Sequence, residues 1–595
     1  MKRHLTIFAA FLVLAIALTW PLALHLDTAV PDRGDPLLNA WIIDWVCHAL
    51  THSPLHLYDA PIYYPGKYPL AYSENMVGIA LLVLPFHLAG LSALTTYNIA
   101  LLLGFAFSAY GAFVLARLVT GNSAGSFLAG VFFAFASFKL AHIQHVQIIW
   151  SGWLPLMLAA LLSYRRAPSN KRAALLSAAF LMNGLTNIYW LMFGGFALVV
   201  TIVFLRLFSK RLFVALSIAC LLLLPFLIPY ALVAREYGAG RTTGESRGGS
   251  ASPVDWLVPS SRNAVYGPLA DPALHRDERE LFPGVVVLLL AMFALVERRA
   301  LSPPVSGEIL GGLRARRSTG TTALDIAIVV GLVLTYLTTV QDRITLGSFS
   351  FSGPDVPAML TVILLIIRFR PRWERSDENV AVLWVVVGFV ASLGWNAFLH
   401  PFLFRLFTPF RATRTPARWA VIAYVGLAVL AAIGYAALKT RWKPLLLALA
   451  IIEVIPSIKW DHLDPRVAPV YTWLAKERPG VVLELPIIAH GVPYEYILAN
   501  SVHRGPIING ASGWETPLHK VLREKEAKLE YDDAFVTPAD IVIVHEARLT
   551  NEQKAALAPL LARLTPLRRF GSDAVFKTRR EPAGTASAPR ESPRR

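Results

Sequence analysis

The chain has 595 residues but only two cysteines, Cys47 and Cys220, both in strongly apolar surroundings. A disulfide scaffold is thereby excluded, and neither thiol suggests a redox or metal site. Charged residues are scarce too, at 16% against 55% apolar, and mean hydropathy is +0.51. A soluble chain of this length would form about four domains of roughly 150 residues, which this composition contradicts. Disorder and collagen are excluded with it. No Gly-Lys-Ser/Thr phosphate loop and no paired-cysteine motif occurs, so ATP hydrolysis is not expected to drive the activity. What the chain does have is apolar runs: about thirteen segments of roughly 20 residues would use about 260 positions, close to half of it. The expected fold is an α-helical polytopic membrane protein.

Lys and Arg number 56 against 39 Asp and Glu, a net charge of +17. In a soluble protein that excess would suggest nucleic acid. Here it reports topology, because basic residues concentrate in cytoplasmic loops. The clusters are Arg117, Arg165 and Arg166 with Lys171 and Arg172, Lys210 with Arg211, Arg298 and Arg299 with 314–317, then 368–375 and 439–443. The apolar run 5–24 follows Lys2 and Arg3, is too long for a signal peptide and lacks a small-residue cleavage site, so it reads as an uncleaved first span.

Successive cytoplasmic clusters require an even number of crossings between them. The expected spans are 97–116, 124–141, 146–163, a pair between Lys171 and Lys210 turning near Asn187 and Tyr189, 212–232, 281–297, 323–340, 356–368, 379–398, 417–438 and 444–458. A further run, 76–94, would make the count to Arg117 odd. It contains Pro85, His87 and Gly90 and reads as an outer interfacial or re-entrant segment. The alternative, with Arg117 outside, would force most later basic loops outside as well.

The organisation expected is a transmembrane module over 1–459, with a first external loop at about 25–75, and an external domain over 460–578. In the latter, β-like runs at 481–485, 541–544 and 574–577 and a helical stretch at 552–564 read as a small α/β domain. The tail 579–595, rich in Pro, Ala, Ser and Arg, reads as disordered.

Polar residues at the outer face are the candidates for chemistry, since ionisable groups at depth are costly. Asp32-Arg33-Gly34-Asp35-Pro36 precedes a run in which Leu38, Trp41, Ile42, Trp45 and Ala49 recur at helical spacing while Asn39, Asp44 and His48 fall elsewhere. That pattern predicts an amphipathic helix at the interface. Asp35 before Pro36 predicts a helix N-cap; a carboxylate there can also serve as general base toward an acceptor hydroxyl. Glu74 is open between a second acid, a metal ligand and a helix-start charge. Lys139, His142, Gln144 and His145 cap the outer end of a span, either as ligand contacts or as interface anchors; two histidines alone are not a zinc site. Arg411, Arg414 and Arg418 break the positive-inside pattern and point to an anionic ligand, phosphate above all, or to lipid headgroups. Arg235, Arg241 and Arg247 lie in a Gly/Ser/Thr-rich external loop, which either closes over a substrate or is simply soluble. An enzyme on the outer face needs an already activated donor, which a lipid-linked phosphosugar supplies.

The layout resembles the C-type glycosyltransferase superfamily of polytopic enzymes. Gly34-Asp35-Pro36-Leu37-Leu38-Asn39-Ala40-Trp41, Leu70-Ala71-Tyr72-Ser73-Glu74, His145-Val146-Gln147 with Trp153-Leu154-Pro155-Leu156, Glu280-Leu281-Phe282-Pro283-Gly284 and Arg414-Thr415-Pro416-Ala417-Arg418 look like a bacterial glycosyltransferase-like group. Glu484-Leu485-Pro486, His503-Arg504 and Ile508-Asn509-Gly510 look like its terminal domain. The resemblance implies a catalytic carboxylate in the first external loop, the position of Asp35. It also implies a polyprenyl-phosphate-sugar donor held by basic residues, and inversion at the sugar. In a metal-dependent branch a second acid joins the first, which would make a divalent cation (Mg or Mn) a cofactor, with Glu74 or Asp44 as that acid.

The function expected is therefore a membrane glycosyltransferase at the outer face of the bacterial cytoplasmic membrane, with the N-terminus cytoplasmic and the C-terminal domain outside. Asp35 and Glu74 are the expected catalytic residues. Arg33, Asp44, Lys139, His142, His145, Tyr189, Arg235, Arg411, Arg414 and Arg418 are the expected substrate contacts. The acceptor is a glycan, lipid or protein, and no nucleic acid is involved. The alternatives are a lipid-linked glycan transporter and a non-catalytic envelope assembly factor.

Overall fold

In the computed structural model, which describes residues 2–238, 240–276, 278–301, 375–488 and 491–578 with short pieces between 326 and 364, the apolar runs are helices. Among the described residues six helices are long and apolar enough to cross a membrane: Ala93–Thr120, Ser123–Ala141, Val146–Arg166, Ile188–Leu205, Lys210–Tyr237 and Pro416–Ala437. The chain is a multi-pass membrane protein. The expected count of about thirteen is not reached among the described residues, for a physical reason. Several apolar helices are shorter than the roughly 20 residues a bilayer demands, such as Val285–Glu297 and Lys443–Ile452. Of the span expected at 323–340, residues 326–334 and 337 are described and are helical; the span expected at 356–368 lies largely outside the described residues, as does the tail 579–595. The segment expected to be interfacial forms a helix of only 12 residues, Val77–Leu88.

The chain divides into two units: Met1–Leu24, Ala100–Phe226 and Gly240–Lys459; and His25–Ile99, Leu227–Ala239 and Trp460–Arg595. In the first unit the helix Ala420–Ala437, almost wholly buried, is packed by Ser123–Phe135, Val285–Leu301 and Asp377–Ser392. Its Ala- and Gly-rich sequence makes this possible: a Cβ on Gly426 or Gly434 would collide with the backbone of Ala381 or Leu290. Small residues admit such close backbone approach between apolar helices. The expected turn near Asn187 is present, where Asn187 caps Ile188–Leu205 by accepting the Tyr189 N–H at 2.7 Å.

In the second unit the first-loop residues and the chain beyond Trp460 fold together. Ala29 and Val30 pair with His462 and Asp461 as a short antiparallel bridge. The N–H groups of Tyr63 and Tyr64 donate to the carbonyls of Asn509 and Ile507, and the Ile507 N–H donates to Pro61. A four-stranded sheet runs in the order Val482–Leu485, Ile541–His545, Asp573–Lys577, Thr565–Phe570, parallel in the first pair and antiparallel in the others. Its core includes Leu483, Leu485, Val542, Val544, Leu557 and Leu560. The three expected strands are all present, and the expected helix is Asn551–Leu561. The strand Thr565–Phe570 was not legible because it is an exposed edge with two arginines and no apolar alternation.

Two local expectations are corrected here. The helix Asp35–His52 is not a surface helix with a polar face, because every residue from Pro36 to Cys47 is buried. It packs against both Val77–Leu88 and Val492–His503, which covers the face left polar in a one-sided helix. Nor is Asp35 the N-cap: Gly34 occupies that place, and Asp35 is the first helical residue, followed by Pro36. There its charge still favours the helix dipole.

Candidate functional site

In the first unit the structure gathers His142, His145, Tyr189 and Arg418, all expected, around Glu278, which was not. Arg418 stands in the 3-10 turn Pro416–Trp419 that leads into the buried helix Ala420–Ala437. Its Nε and one terminal nitrogen donate to the two Glu278 carboxylate oxygens at 2.7 and 2.8 Å. The guanidinium carbon lies 4.7 Å from the Tyr189 ring centre, a cation–π seat on an aromatic face. The Arg418 side chain is 9% exposed and that of Glu278 17%.

His142 approaches the same carboxylate. Its Nδ1–H donates to the Phe138 carbonyl at 2.7 Å, which leaves Nε2 facing Glu278 at 3.5 Å. Burial lowers the His142 pKa, opposed by Glu278. Burial would raise the Glu278 carboxyl, but Arg418 first, and His142 after it, hold it well below the usual carboxylate range. Glu278 thus stays charged, with a left-handed backbone at φ +64°. It lies in a charged loop with no periodicity, so only its two arginine neighbours, Arg276 and Arg279, set it apart in the sequence.

Other expected contacts are placed differently. Lys139 turns inward: its ammonium donates to the carbonyls of Ile148 and Ile149 and to the Ser151 hydroxyl, which occupies all three of its donors. It is 1% exposed and not positioned to touch a substrate. Arg411 is exposed, and its guanidinium reaches the carbonyls of Phe404 and Arg405. Arg414 is exposed, its backbone N–H donating to the Tyr189 hydroxyl at 3.4 Å. Its guanidinium makes no hydrogen bond or ion pair among the described residues. Arg241 pairs with Glu245 at 3.2 Å, and Arg247 stacks on Trp395 at 5.3 Å.

The pentad Gly244-Glu245-Ser246-Arg247-Gly248 brings Ser246 within 3.3 Å of His400 Nε2. It is not a nucleophile elbow. Ser246 lies inside a short helix, accepts from Trp395 Nε1–H, and is fully buried together with His400.

In the second unit Asp35 and Glu74 are half-buried. Arg33 binds Glu495 at 3.3 Å and the His462 carbonyl at 2.9 Å, and Arg235 is exposed at the end of Lys210–Tyr237. Asp44 is engaged by Arg504 at 2.9 Å and His87 at 3.1 Å. Its charge is spent inside the protein, which corrects its expected part as a substrate contact or second metal-binding acid. Among the described residues no three His, Cys, Asp or Glu side chains are grouped to hold a metal ion.

The motif residues beyond Trp460 have packing roles. Asn509 clamps the Glu484 backbone through two bonds of 2.8 Å, and the bare face of Gly510 lies on the Tyr63 ring. Glu484, fully buried, accepts from the Tyr471 hydroxyl at 2.8 Å and binds His545 at 3.0 Å, while Asp573 binds the other His545 nitrogen at 2.9 Å. Burial alone would lower His545, but Asp573 and Glu484 overcome it and raise it to about 8.

No protein-family model matches the chain, and no curated protein sequence does. Among solved structures the chain is similar to the arabinofuranosyltransferase AftD from Mycobacteria, with a TM-score of 0.53 at 12% identity. The match covers 97% of this chain and 40% of that one, so the chain spans well under half the length of that protein. It is also similar to ArnT from Cupriavidus metallidurans, in the apo state (TM-score 0.35) and bound to undecaprenyl phosphate (TM-score 0.37). Both ArnT matches have 14% identity and cover 96% of this chain and 97% of that one. The AftD likeness, which runs through nearly the whole chain, shows the fold.

Proposed function

We propose that the chain is a membrane glycosyltransferase that moves a sugar from a polyprenyl-phosphate-linked donor onto an envelope glycan, lipid or protein at the outer face of the cytoplasmic membrane. The observation that carries this reading is the fold it shares, over nearly its whole length, with an arabinofuranosyltransferase. The exposed Arg414 and the Tyr189-seated Arg418 support it, because planar guanidinium forks match phosphate oxygens.

In such a transfer the acceptor hydroxyl attacks the anomeric carbon, the bond from that carbon to the phosphate oxygen breaks, and the configuration inverts. Asp35 takes the hydroxyl proton. Arg414 and Arg418, with His142 and His145 beside Arg418, stabilise the charge that develops on the departing phosphate. Glu74 is the second carboxylate, the residues from Trp460 bind the acceptor, and the N-terminus is cytoplasmic.

The test is sugar transfer from labelled polyprenyl-phosphate sugars by the purified full chain in nanodiscs. Asp35→Asn should cut turnover by about a hundredfold or more while donor binding persists. Undiminished transfer by that variant would remove Asp35 from the role. Movement of lipid-linked glycan across vesicle membranes without transfer would replace the enzyme by a transporter.

A further inference from the structure

Arg418 already holds an anion, and it is the protein's own. The Glu278 carboxylate engages the guanidinium through two nearly equal bonds, the geometry in which Arg also receives two oxygens of a phosphate. It does so from a non-glycine residue in left-handed backbone, a conformation held only where surrounding contacts enforce it. The fit around this carboxylate is incomplete. With its Nδ1–H given to Phe138, His142 turns Nε2 toward Glu278 at 3.5 Å. Only the protonated ring, which burial disfavours, can pair with this carboxylate; in the neutral ring that nitrogen is an acceptor, and a carboxylate has no proton to give it. A phosphate monoester does have one: its monoanion can place two oxygens on Arg418 and donate a P–O–H to His142 Nε2.

We propose that Glu278 is a resident counter-ion in the anion seat of Arg418, and that a phosphate group takes the seat by displacing it. The proposal rests on the reading of Arg418 as a phosphate-binding residue and adds how that seat is regulated. Glu278 keeps the guanidinium neutralised while the seat is without ligand, where a lone charge at this burial would be costly. It also sets a threshold, because any anion must outcompete a bidentate carboxylate to enter. Simple carboxylates and the phosphodiester of the intact donor cannot donate to His142, so the seat favours the phosphate monoester that transfer releases, and discriminates by exclusion.

The experiment measures binding of two probes, inorganic phosphate and farnesyl monophosphate, to the full chain in nanodiscs. Glu278→Gln keeps the shape and removes the charge, and should lower the Kd for phosphate by about tenfold. Arg418→Gln added to it should abolish that gain. A gain with either probe supports the displacement and identifies whether the seat takes free or lipid-borne phosphate. Binding that depends on Arg418 but is unchanged or weakened by Glu278→Gln overturns the counter-ion and leaves the donor reading standing. Binding indifferent to Arg418 overturns both. Should Glu278→Gln fail to fold, amide exchange in the unaltered chain decides: phosphate should speed exchange over 275–280, and unchanged or slowed exchange there overturns the displacement.

Discussion

Asp44 and Arg504 form an ion pair of 2.9 Å that ties a helix of the first external loop to the chain beyond Trp460. His87 meets the other oxygen of Asp44 at 3.1 Å. The Asp44 side chain is 6% exposed and that of Arg504 26%, so removing either strands its partner out of water. Breaking a buried pair costs about 3–5 kcal/mol, and the partial exposure of Arg504 brings the expected cost to about 2–3 kcal/mol. Asp44→Ala should destabilise the chain by that amount in thermal unfolding. Asp44→Leu with Arg504→Met should cost less than the sum of the single changes, and simple additivity would contradict a direct pair.

The His545 network predicts a pH dependence of known sign. Its folded value, about 8, lies above the ordinary 6.5 of histidine, so the protonated ring favours the folded state. The contribution is fully present below pH 6.5 and is lost as pH rises through 8. It amounts to about 2 kcal/mol for a ring this deeply buried. Unfolding midpoints followed from pH 6 to 9 should fall over that window, and His545→Gln should flatten the profile.

Arg414 and Arg418 should separate in their effects. Arg414 is exposed and its guanidinium makes no hydrogen bond or ion pair among the described residues, so Arg414→Gln should leave stability unchanged while raising KM for the donor about tenfold. Arg418→Gln instead strands Glu278, and should lower both donor binding and stability, the latter by about 2–4 kcal/mol. Equal loss of stability in the two variants would refute this division.

Gly510 faces Tyr63 so closely that an added Cβ would overlap the ring. Gly510→Ala should therefore destabilise by about 1–3 kcal/mol. Limited proteolysis should find the bonds near Tyr63 more readily cut, because Tyr63 and Tyr64 bond to the Ile507–Asn509 backbone. A protease pattern identical to that of the unaltered chain would argue against this coupling.

The proposed topology is checked with a cysteine at Ser512 in a Cys220→Ser background. An impermeant thiol reagent should label it from outside intact spheroplasts. Labelling only after lysis would invert the orientation.

Much of the local structure was legible because it depends on neighbours in sequence. Apolar length made the helices Ala93–Thr120 and Lys210–Tyr237 recognisable, β-branched runs marked Val482–Leu485 and Ile541–His545, and Asn187 marked its turn. His142, His145, Tyr189 and Arg418 were singled out by polarity at span ends. Their convergence was not, because it required Glu278, 140 positions from Arg418 and in a loop without periodicity.

The sequence by itself determined that the chain lies in a membrane and which stretches become helices and strands, since hydropathy and propensity act over a few residues. Only the tertiary structure decided which charges are spent. A helical pattern showed Asn39 and Asp44 off the apolar face of their helix, but not that a second helix covers that face and supplies Arg504. Likewise it marked Lys139 and Arg418 as cations, but not that one is consumed by backbone carbonyls and the other by Glu278. Such pairing depends on which distant segments meet, and that is settled when the core packs.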